Sequence, residues 1–455
     1  MNPVPPASGL PVASPSASAN SARSVSLPIP VRLDRLQADF EAFAAIGRTA
    51  GGGSGRLAFS EADRQGRAFI RERMAAAGLE VYEDPAGNIH GYRRGMEEGL
   101  RVATGSHSDS VENGGHFDGA VGLLGGLEVL RALREAGIVT RRGLEVISFL
   151  AEEPNRFGLS CIGSRGLCGR LSRRLLEERR DPEGRSLAEA LQAMGVSPES
   201  LLAVKPGDFR YHAFIEVHVE QGRTLYDRKV PLGLVTDIVG AYRYRVRFVG
   251  QADHAGGTPM DRRRDALAAA AEGVLAVERI CRSYHARDIV GTVGVLRVVP
   301  GAINVIPGEC EMILEVRGRA HFPKSIPVAE IRAAFEETAR RREVALEVET
   351  LMEDESRTVS PLVQETIASC AESLGYPYLR MPSRTGHDAM HLAEHSPVGM
   401  IFLPSREGIG HHPAEWTDWE DIERGLKLLA ASLVRLADED ERDTHGRGET
   451  APRRP

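Results

Sequence analysis

Cysteine is scarce in this sequence, and no two cysteines have the spacing of a metal site. The five cysteines are odd in number and include no Cys-x-x-Cys motif. This argues against both a disulfide framework and a zinc site built from thiolates. A few isolated thiols are typical of proteins in a reducing compartment, so we expect a cytoplasmic protein.

Long apolar runs are missing as well. No segment approaches the roughly 20 apolar residues of a membrane-spanning helix, so we expect no membrane partner. The opening segment is rich in serine and alanine, and it lacks the charged start and apolar core of a secretory signal. We predict disordered tails at residues 1–30 and 438–455.

A large excess of one charge is also absent. The net charge is -7 over 455 residues, so we expect no nucleic-acid partner. Hydrophobic residues at 42% and charged residues at 27% are ordinary for a globular protein. The chain is too long for one ordinary core, which predicts two domains.

Apolar strands alternate with helices in the first half of the chain. Helical spacing marks VRLDRLQADFEAFAAIG, and Ser60 can cap the helix that follows it. LEVYEDPAGNIHGYRRG predicts a hairpin, while LRVATG, GLEVISFLA and YHAFIEVHV each predict a strand followed by polar groups. This alternation indicates an open α/β sheet with a ligand site beyond the carboxyl ends of its strands.

The pattern changes near residue 230. From there the order of predicted elements is β-α-β-β-α-β, which is that of a small ferredoxin-like α+β domain. Beyond residue 353 two helices, in SPLVQETIASCAESLG and WEDIERGLKLLAASLVRLA, return to the first pattern. We therefore predict a discontinuous α/β catalytic domain, 31–229 and 349–437, with an inserted dimerisation domain at 230–348.

The stretch GSHSDSVENGGHFDG places two histidines and two aspartates between glycine clusters. A polar surface loop is the simplest interpretation of such a segment. However, similar side chains follow the other predicted strands: Glu152 with Glu153, His218, and His411. Imidazole and carboxylate are zinc ligands, and hydrolases with paired metals hold two ions about 3.5–4 Å apart. These histidine and carboxylate side chains are enough to form such a site without any cysteine.

Six segments in order across about residues 30–435 resemble the M20 metallopeptidase superfamily. They are GSHSDSVENGGHFDGAVGLLGGLEVL, EEPNRFGLSCIGSRGL, FIEVHVEQG, ADHAGGTPMDRRRDAL, AINVIPG and GIGHHPAEWT. Within the superfamily they look like the amidohydrolase branch, which includes N-carbamoyl-L-amino-acid hydrolases, β-ureidopropionases, and allantoate or ureidoglycolate amidohydrolases. The resemblance implies hydrolysis of a linear C–N bond in a small ureido or carbamoyl acid.

The resemblance also implies a site with two divalent metal ions. It assigns His107 and His218 to one ion, Glu153 and His411 to the other, and Asp118 to both. Zinc is the expected metal, although such nitrogen and oxygen ligands also accept manganese, cobalt or nickel.

Two further residues would support this site. Asp109 would accept the second ring N–H of His107 and fix its orientation. Glu152 would be the general base that takes a proton from the attacking water.

Substrate contacts follow from the same resemblance. Gln221 would bind the ureido group, because an amide donates and accepts hydrogen bonds at once. Asn304 and Arg317 would hold the substrate carboxylate, for which the planar guanidinium fork is suited. Gly386 and His387 match another loop at the site.

His254 matches a residue that reaches the active site of a partner subunit and stabilises the oxyanion. The resemblance therefore implies a homodimer. A histidine that only closes the ADHAGG turn within its own subunit is the simpler alternative.

Some positions depart from the common family pattern. Pro154 replaces the usual glycine, His116 is unusual in its turn, and His412 leaves open which of two adjacent histidines binds metal. An M20 aminoacylase or dipeptidase is the alternative enzyme, although the glutamine of HVEQG argues against it. A metal-stabilised binding protein without activity is a further alternative, but such proteins typically lose a ligand or the general base.

Overall fold

The computed structural model describes residues 29–439. The predicted tails, 1–30 and 438–455, lie outside the described residues except at their inner ends. None of the helices within the described range is both long enough and apolar enough to cross a lipid bilayer. All five cysteines lie within this range, and all are buried.

The described residues form fifteen strands and thirteen α-helices. The strands are β1 (Glu80–Glu83), β2 (Ile89–Arg93), β3 (Val102–His107), β4 (Leu144–Phe149), β5 (Ala213–Val219), β6 (Leu232–Ile238), β7 (Gly240–Val249), β8 (Asp253–His254), β9 (Val290–Val299), β10 (Val305–Ile306), β11 (Glu309–Gly318), β12 (Ala345–Glu353), β13 (Arg357–Thr358), β14 (Tyr378–Ser383) and β15 (Val398–Leu403). The helices are α1 (Leu33–Ala45), α2 (Glu61–Ala76), α3 (Ala120–Glu135), α4 (Ile162–Leu167), α5 (Arg173–Glu178), α6 (Leu187–Ala193), α7 (Pro198–Ala203), α8 (Thr224–Arg228), α9 (Ala266–Ser283), α10 (Ser325–Arg342), α11 (Pro361–Ser373), α12 (Asp388–Leu392) and α13 (Trp419–Asp438).

A nine-stranded mixed sheet forms the centre of the larger part. Its strand order is β1-β2-β4-β3-β5-β15-β6-β13, with β14 also paired to β6. The four middle strands, β4, β3, β5 and β15, are parallel. Every residue of these four strands is buried, because helices cover both faces of the sheet. The predicted α/β class is confirmed.

Local signals explain how several elements begin. The side chain of Ser60 accepts a hydrogen bond from Asp63 N and caps α2, as predicted. The predicted hairpin forms as the antiparallel pair of β1 and β2. Helices α3 and α13 pack against each other and supply much of the largest apolar core.

A separate four-stranded antiparallel sheet has the order β12-β7-β11-β9. Helices α9 and α10 pack on one face of it. Apart from the short strands β8 and β10, the elements run along the chain as β7, α9, β9, β11, α10 and β12, which is the predicted order β-α-β-β-α-β. The segment predicted as the insertion, 230–348, begins with β6, which pairs in the large sheet. Its final strand, β12, extends to Glu353. The change from one sheet to the other therefore lies between β6 and β7.

A buried ionic cluster links the β1–β2 hairpin to the neighbouring strand β4 of the large sheet. The His90 ring on β2 lies between Asp84, 3.0 Å from Nε2, and Glu145 on β4. Glu145 also accepts hydrogen bonds from Arg101 at 2.6 Å and Tyr82 at 3.0 Å. Burial opposes the imidazolium, but the two carboxylates outweigh it and raise the pKa of His90 to about 9.

We predict that this cluster makes stability depend on pH. The pKa of His90 is higher in the folded chain than its ordinary value of 6.5. Protonated His90 therefore stabilises the fold fully below pH 6.5, and this contribution is lost as the pH rises through about 9. The difference in melting temperature between the wild type and His90→Gln should shrink over this range.

Thermal unfolding of both proteins at several pH values, followed by circular dichroism, measures this difference. His285→Gln is the control, because His285 is exposed and its removal should leave the pH dependence unchanged. A constant difference between wild type and His90→Gln from pH 6 to pH 10 would contradict the prediction.

Candidate metal centre

The four parallel middle strands of the large sheet bring the predicted ligands together. His107 ends β3, and His218 is the penultimate residue of β5. Glu152 and Glu153 follow β4, while His411 lies in the segment after β15. Because the carboxyl ends of parallel strands meet at one sheet edge, residues distant in sequence share one site.

Two glycines permit the close packing behind these ligands. A Cβ on Gly119, which has a φ of 63°, would lie 2.5 Å from Cε1 of His107. A Cβ on Gly105 would lie 2.1 Å from the main-chain oxygen of Ile147 on the neighbouring strand. The glycines of the loop are therefore required where α3 begins against the His107 ring and where β3 approaches β4.

Asp118 is the centre of the cluster. Its Oδ1 lies 3.1 Å from Nε2 of His218 and 3.7 Å from Nε2 of His107. Its Oδ2 lies 3.0 Å from Nε2 of His411. One oxygen of this buried carboxylate thus faces two histidines, and the other faces a third.

Glu153 completes the second group. Its Oε1 lies 3.4 Å from Nε2 of His411, and this buried oxygen has no hydrogen-bond partner among the described residues. Ligand atoms of Asp118, Glu153 and His411 lie within 4.8 Å of one another, as do those of His107, Asp118 and His218. Nitrogen and oxygen donors grouped in this way are of the kind that binds divalent cations.

The electrostatics of the cluster favour cation binding. Burial, followed by the charges of Asp118 and Glu152, raises the pKa of Glu153 well above its ordinary value. Burial opposes ionised Asp118 too, but contacts with His218 and His411 hold its pKa well below the usual range. Several carboxylates are buried close together here, so their charge needs positive partners. Oε1 of Glu153, which has no hydrogen-bond partner among the described residues, is one position where a cation can bind.

Asp109 holds the glutamate pair in place. Its two carboxylate oxygens accept hydrogen bonds from Glu152 N at 3.2 Å and Glu153 N at 3.0 Å. Nδ1 of His107 lies 3.1 Å from the main-chain oxygen of Asp109 and 3.6 Å from its carboxylate. Within hydrogen-bond distance, the His107 ring contacts the main-chain oxygen of Asp109, and the carboxylate that was expected to orient the ring lies slightly farther away.

Glu152 lies beside the cluster with one oxygen 3.6 Å from Nε2 of His107. Burial, with further charge effects from its neighbours, raises the pKa of Glu152 to about 7. A group with a pKa near the working pH takes up and releases protons readily. The Cys161 thiol donates a hydrogen bond to Oε1 of Glu152 at 3.4 Å.

A cavity next to the cluster contains most of the predicted substrate contacts. Gln221, Arg317, Gly386 and His387 line it together with Glu152. Gln221 donates to Oδ2 of Asp118 at 2.8 Å. Burial holds the pKa of His387 well below its ordinary value, so its ring is neutral.

Two predicted substrate residues are elsewhere. His254 and Asn304 lie on and beside the two-stranded β8–β10 ribbon, where Val305 pairs with His254 and Asn304 O accepts from Ala255 N. Both side chains are exposed, and neither residue is part of the cavity lining within this chain.

The structure separates the two adjacent histidines. His411 faces Asp118 and Glu153, whereas Nδ1 of His412 accepts a hydrogen bond from Ala414 N at 3.1 Å. His411 has a φ of 53°, a strained value for a non-glycine residue that is typical of functional positions. His116 lies outside the cluster, with Nε2 3.0 Å from Gly52 O.

Sequence reasoning missed one supporting carboxylate. Buried Glu415 accepts hydrogen bonds from the main-chain nitrogens of Phe117 at 3.0 Å and Asp118 at 2.9 Å. This residue lies within the GIGHHPAEWT segment, but nothing in its spacing indicates a contact with a loop almost 300 residues earlier. Cys161, in contact with Glu152 nine residues earlier, was also missed, because the sequence gives no sign that the intervening loop folds back onto the glutamate.

Comparison with known proteins identifies the family. The model of peptidase family M20/M25/M40 matches residues 101–435. An N-carbamoyl-L-amino acid amidohydrolase from Geobacillus stearothermophilus is 40% identical over 395 residues, which cover 86% of this chain and 95% of the relative. A ureidoglycolate hydrolase from Arabidopsis thaliana is 37% identical over 393 residues, 84% of this chain and 82% of the relative.

The fold agrees with this identification. A crystal structure of a hydantoinase/carbamoylase family amidase from Burkholderia vietnamiensis superposes with a TM-score of 0.82. That protein is 33% identical, and the match covers 91% of this chain and 100% of the amidase. The chain belongs to peptidase family M20/M25/M40 and, within it, to the amidohydrolase branch.

Proposed function

We propose that this protein is a two-metal amidohydrolase that cleaves a linear C–N bond in an N-carbamoyl amino acid or a related ureido acid. The amidohydrolase relatives and the matched family make the chain a hydrolase of carbon–nitrogen bonds other than peptide bonds. The two-metal site and the ureido substrate are our proposal for how it performs such a reaction.

The observation that carries the proposal is the position of Asp118. One oxygen faces His218 and His107, and the other faces His411 with Glu153 beside it. A carboxylate shared in this way supports a pair of ions rather than one. When bound, such ions polarise the substrate carbonyl and lower the pKa of the attacking water.

The remaining chemistry belongs to Glu152. It takes a proton from water as the water oxygen bonds to the carbamoyl carbon, and it delivers that proton to the amino acid nitrogen as the C–N bond breaks. The carbamate released in this way decomposes to ammonia and carbon dioxide. The amide of Gln221 orients the ureido end, and Arg317 attracts the substrate carboxylate.

Ammonia release tests the reaction directly. The metal-loaded protein should release ammonia from at least one member of a panel of N-carbamoyl-α-amino acids, N-carbamoyl-β-alanine, allantoate and ureidoglycolate. Release of the amine from an N-acetyl amino acid is the parallel assay for an aminoacylase. Activity only in the second assay would overturn the proposal.

We predict that Glu152→Gln abolishes turnover and keeps the metals. The glutamine has nearly the same shape but cannot shuttle a proton, so kcat should fall about 10²–10⁴-fold. Glu153→Gln is the matched comparison, because Glu153 faces His411 and should lose metal instead. Metal content measured by mass spectrometry after dialysis separates the two, and the reverse pattern would exchange the assigned roles.

We also propose that the smaller sheet, with α9 and α10, forms an inserted domain that pairs with a second copy of the chain. Strand β9 is an edge of that sheet and exposes Val290, Leu296 and Val299. An unpaired edge with apolar side chains supports pairing with another chain. His254 and Asn304 are exposed on the adjoining ribbon, which supports their reaching a partner's site.

Subunit mixing tests this arrangement. His254→Ala and Glu152→Gln should each be inactive alone, since loss of one oxyanion donor costs about 10²–10³ in rate. After exchange, a mixed dimer has one site with both lesions and one with neither. Activity should therefore recover towards half of the wild-type value per mixed dimer. If differently tagged subunits show that exchange has occurred but activity does not recover, His254 acts in the active site of its own subunit.

A further inference from the structure

The face of the small sheet opposite its helices carries a ladder of arginines and glutamates. Arg245 and Arg247 on β7 each lie between a glutamate on β11 and a glutamate on β12. The partners are Glu311 and Glu349 for Arg245, and Glu309 and Glu347 for Arg247. Glu311 also pairs with Arg297. In this part of the ladder, four glutamates pair with three arginines, so each guanidinium charge is offset by a neighbouring carboxylate.

The pattern breaks at the end of the ladder that lines the metal cavity. There Arg243 and Arg317 share a single carboxylate, Glu315. The β12 residue opposite Arg243 is Met352, where the ladder would otherwise supply a glutamate. Another acid of the cavity lining, Asp354, is paired with Arg165. The cavity end of the ladder therefore has an excess of positive charge.

Glu315 lies between the two arginines. Nε of Arg243 donates to its Oε2 at 2.6 Å, and Nε of Arg317 donates to its Oε1 at 2.7 Å. Although burial opposes its charge, the two guanidinium groups hold the pKa of Glu315 below its ordinary value. The two arginines thus bind different oxygens of Glu315 through their Nε atoms, and neither uses a terminal nitrogen for this contact.

The free ends of the two arginines differ. Nη1 of Arg317 donates to the main-chain oxygen of Arg384 at 3.2 Å, which leaves Nη2 available. Within residues 29–439, neither terminal nitrogen of Arg243 donates a hydrogen bond to another residue. Arg243 therefore presents an open fork to a cavity that also contains Glu152. A fork of this kind matches the two oxygens of a carboxylate.

We propose that Arg243 is a specificity-determining residue that binds a second carboxylate of the substrate, and that the preferred substrates are N-carbamoyl amino acids with an acidic side chain. The inference rests on the proposed function. Arg317 holds the carboxylate next to the scissile ureido group, and Arg243 holds the one at the end of the side chain. Val239, Ala241 and Met352 in the same lining provide apolar surface for the methylene groups between them.

Kinetics with two substrates test the assignment. N-carbamoyl-aspartate carries the second carboxylate, and N-carbamoyl-alanine lacks it. Arg243→Met should lower kcat/KM for N-carbamoyl-aspartate about 10- to 100-fold, as expected for a charged hydrogen-bonded pair, and change the value for N-carbamoyl-alanine less than about 3-fold. Arg317→Lys should lower kcat/KM for both substrates.

Arg245→Met is the matched control. It removes the next arginine on the same strand, but Arg245 is outside the cavity lining and has its own two glutamates. Both substrates should be hydrolysed as in the wild type. If the wild type prefers N-carbamoyl-alanine, or if Arg243→Met slows both substrates equally, the second-carboxylate assignment is wrong while the proposed function stands.

A binding measurement separates failure of the proposed function from failure of this inference. If no ureido acid is hydrolysed, the function is wrong, and calorimetric titration with succinate and butyrate still tests the anion site. The wild type should bind succinate more tightly than butyrate, and Arg243→Met should remove that difference. Equal binding of the two acids by the wild type would overturn the role of Arg243.

Discussion

The carboxylate of Asp118 is the constraint on which the rest of the structure depends. It must place one oxygen towards His218 and the other towards His411, which come from different parts of the chain. The loop that bears it is fixed by hydrogen bonds from two main-chain nitrogens to Glu415 and by the turn at Gly119. Parallel strands supply the histidines and glutamates because only their carboxyl ends converge at one point. The sheet order thus brings these side chains around one carboxylate.

That arrangement concentrates charge among largely buried side chains, and the surrounding residues offset it. Asp109 uses both carboxylate oxygens on the amides of Glu152 and Glu153, so it does not compete with the glutamate side chains for cations. Oε1 of Glu153 has no hydrogen-bond partner among the described residues, and neither does Oε2 of Glu415. Buried polar atoms are normally satisfied. The Glu153 oxygen lies 3.4 Å from Nε2 of His411, and this position supports the ligand role proposed for it.

The sequence predicted those features that have a local signal. Apolar strands that end in or near acids or histidine marked His107, Glu152 and His218 as candidates without any knowledge of distant contacts. The β6 strand was assigned to the insertion because its alternation resembles that of β7, and only pairing with β14 and β15 places it in the large sheet. Strand β15 is a short apolar run, VGMIFL, of a kind that periodicity alone does not distinguish from helix. Glu415 depends on a tertiary contact, and no local pattern reveals such a residue.

The role proposed for Arg243 also depends on a tertiary contact that the sequence does not reveal. Along β7 the alternation of Arg243, Arg245 and Arg247 is uniform, so the sequence gives no reason to distinguish the first from the others. The distinction comes from the register, which places Met352 opposite Arg243 and glutamates opposite the other two. Under the proposed function, recognition of charge lies on the small sheet, while the proton transfer assigned to Glu152 lies on the large one. Because the two tasks are on different elements, a change in the register partner of one arginine can alter which acid is selected without altering the groups that break the C–N bond.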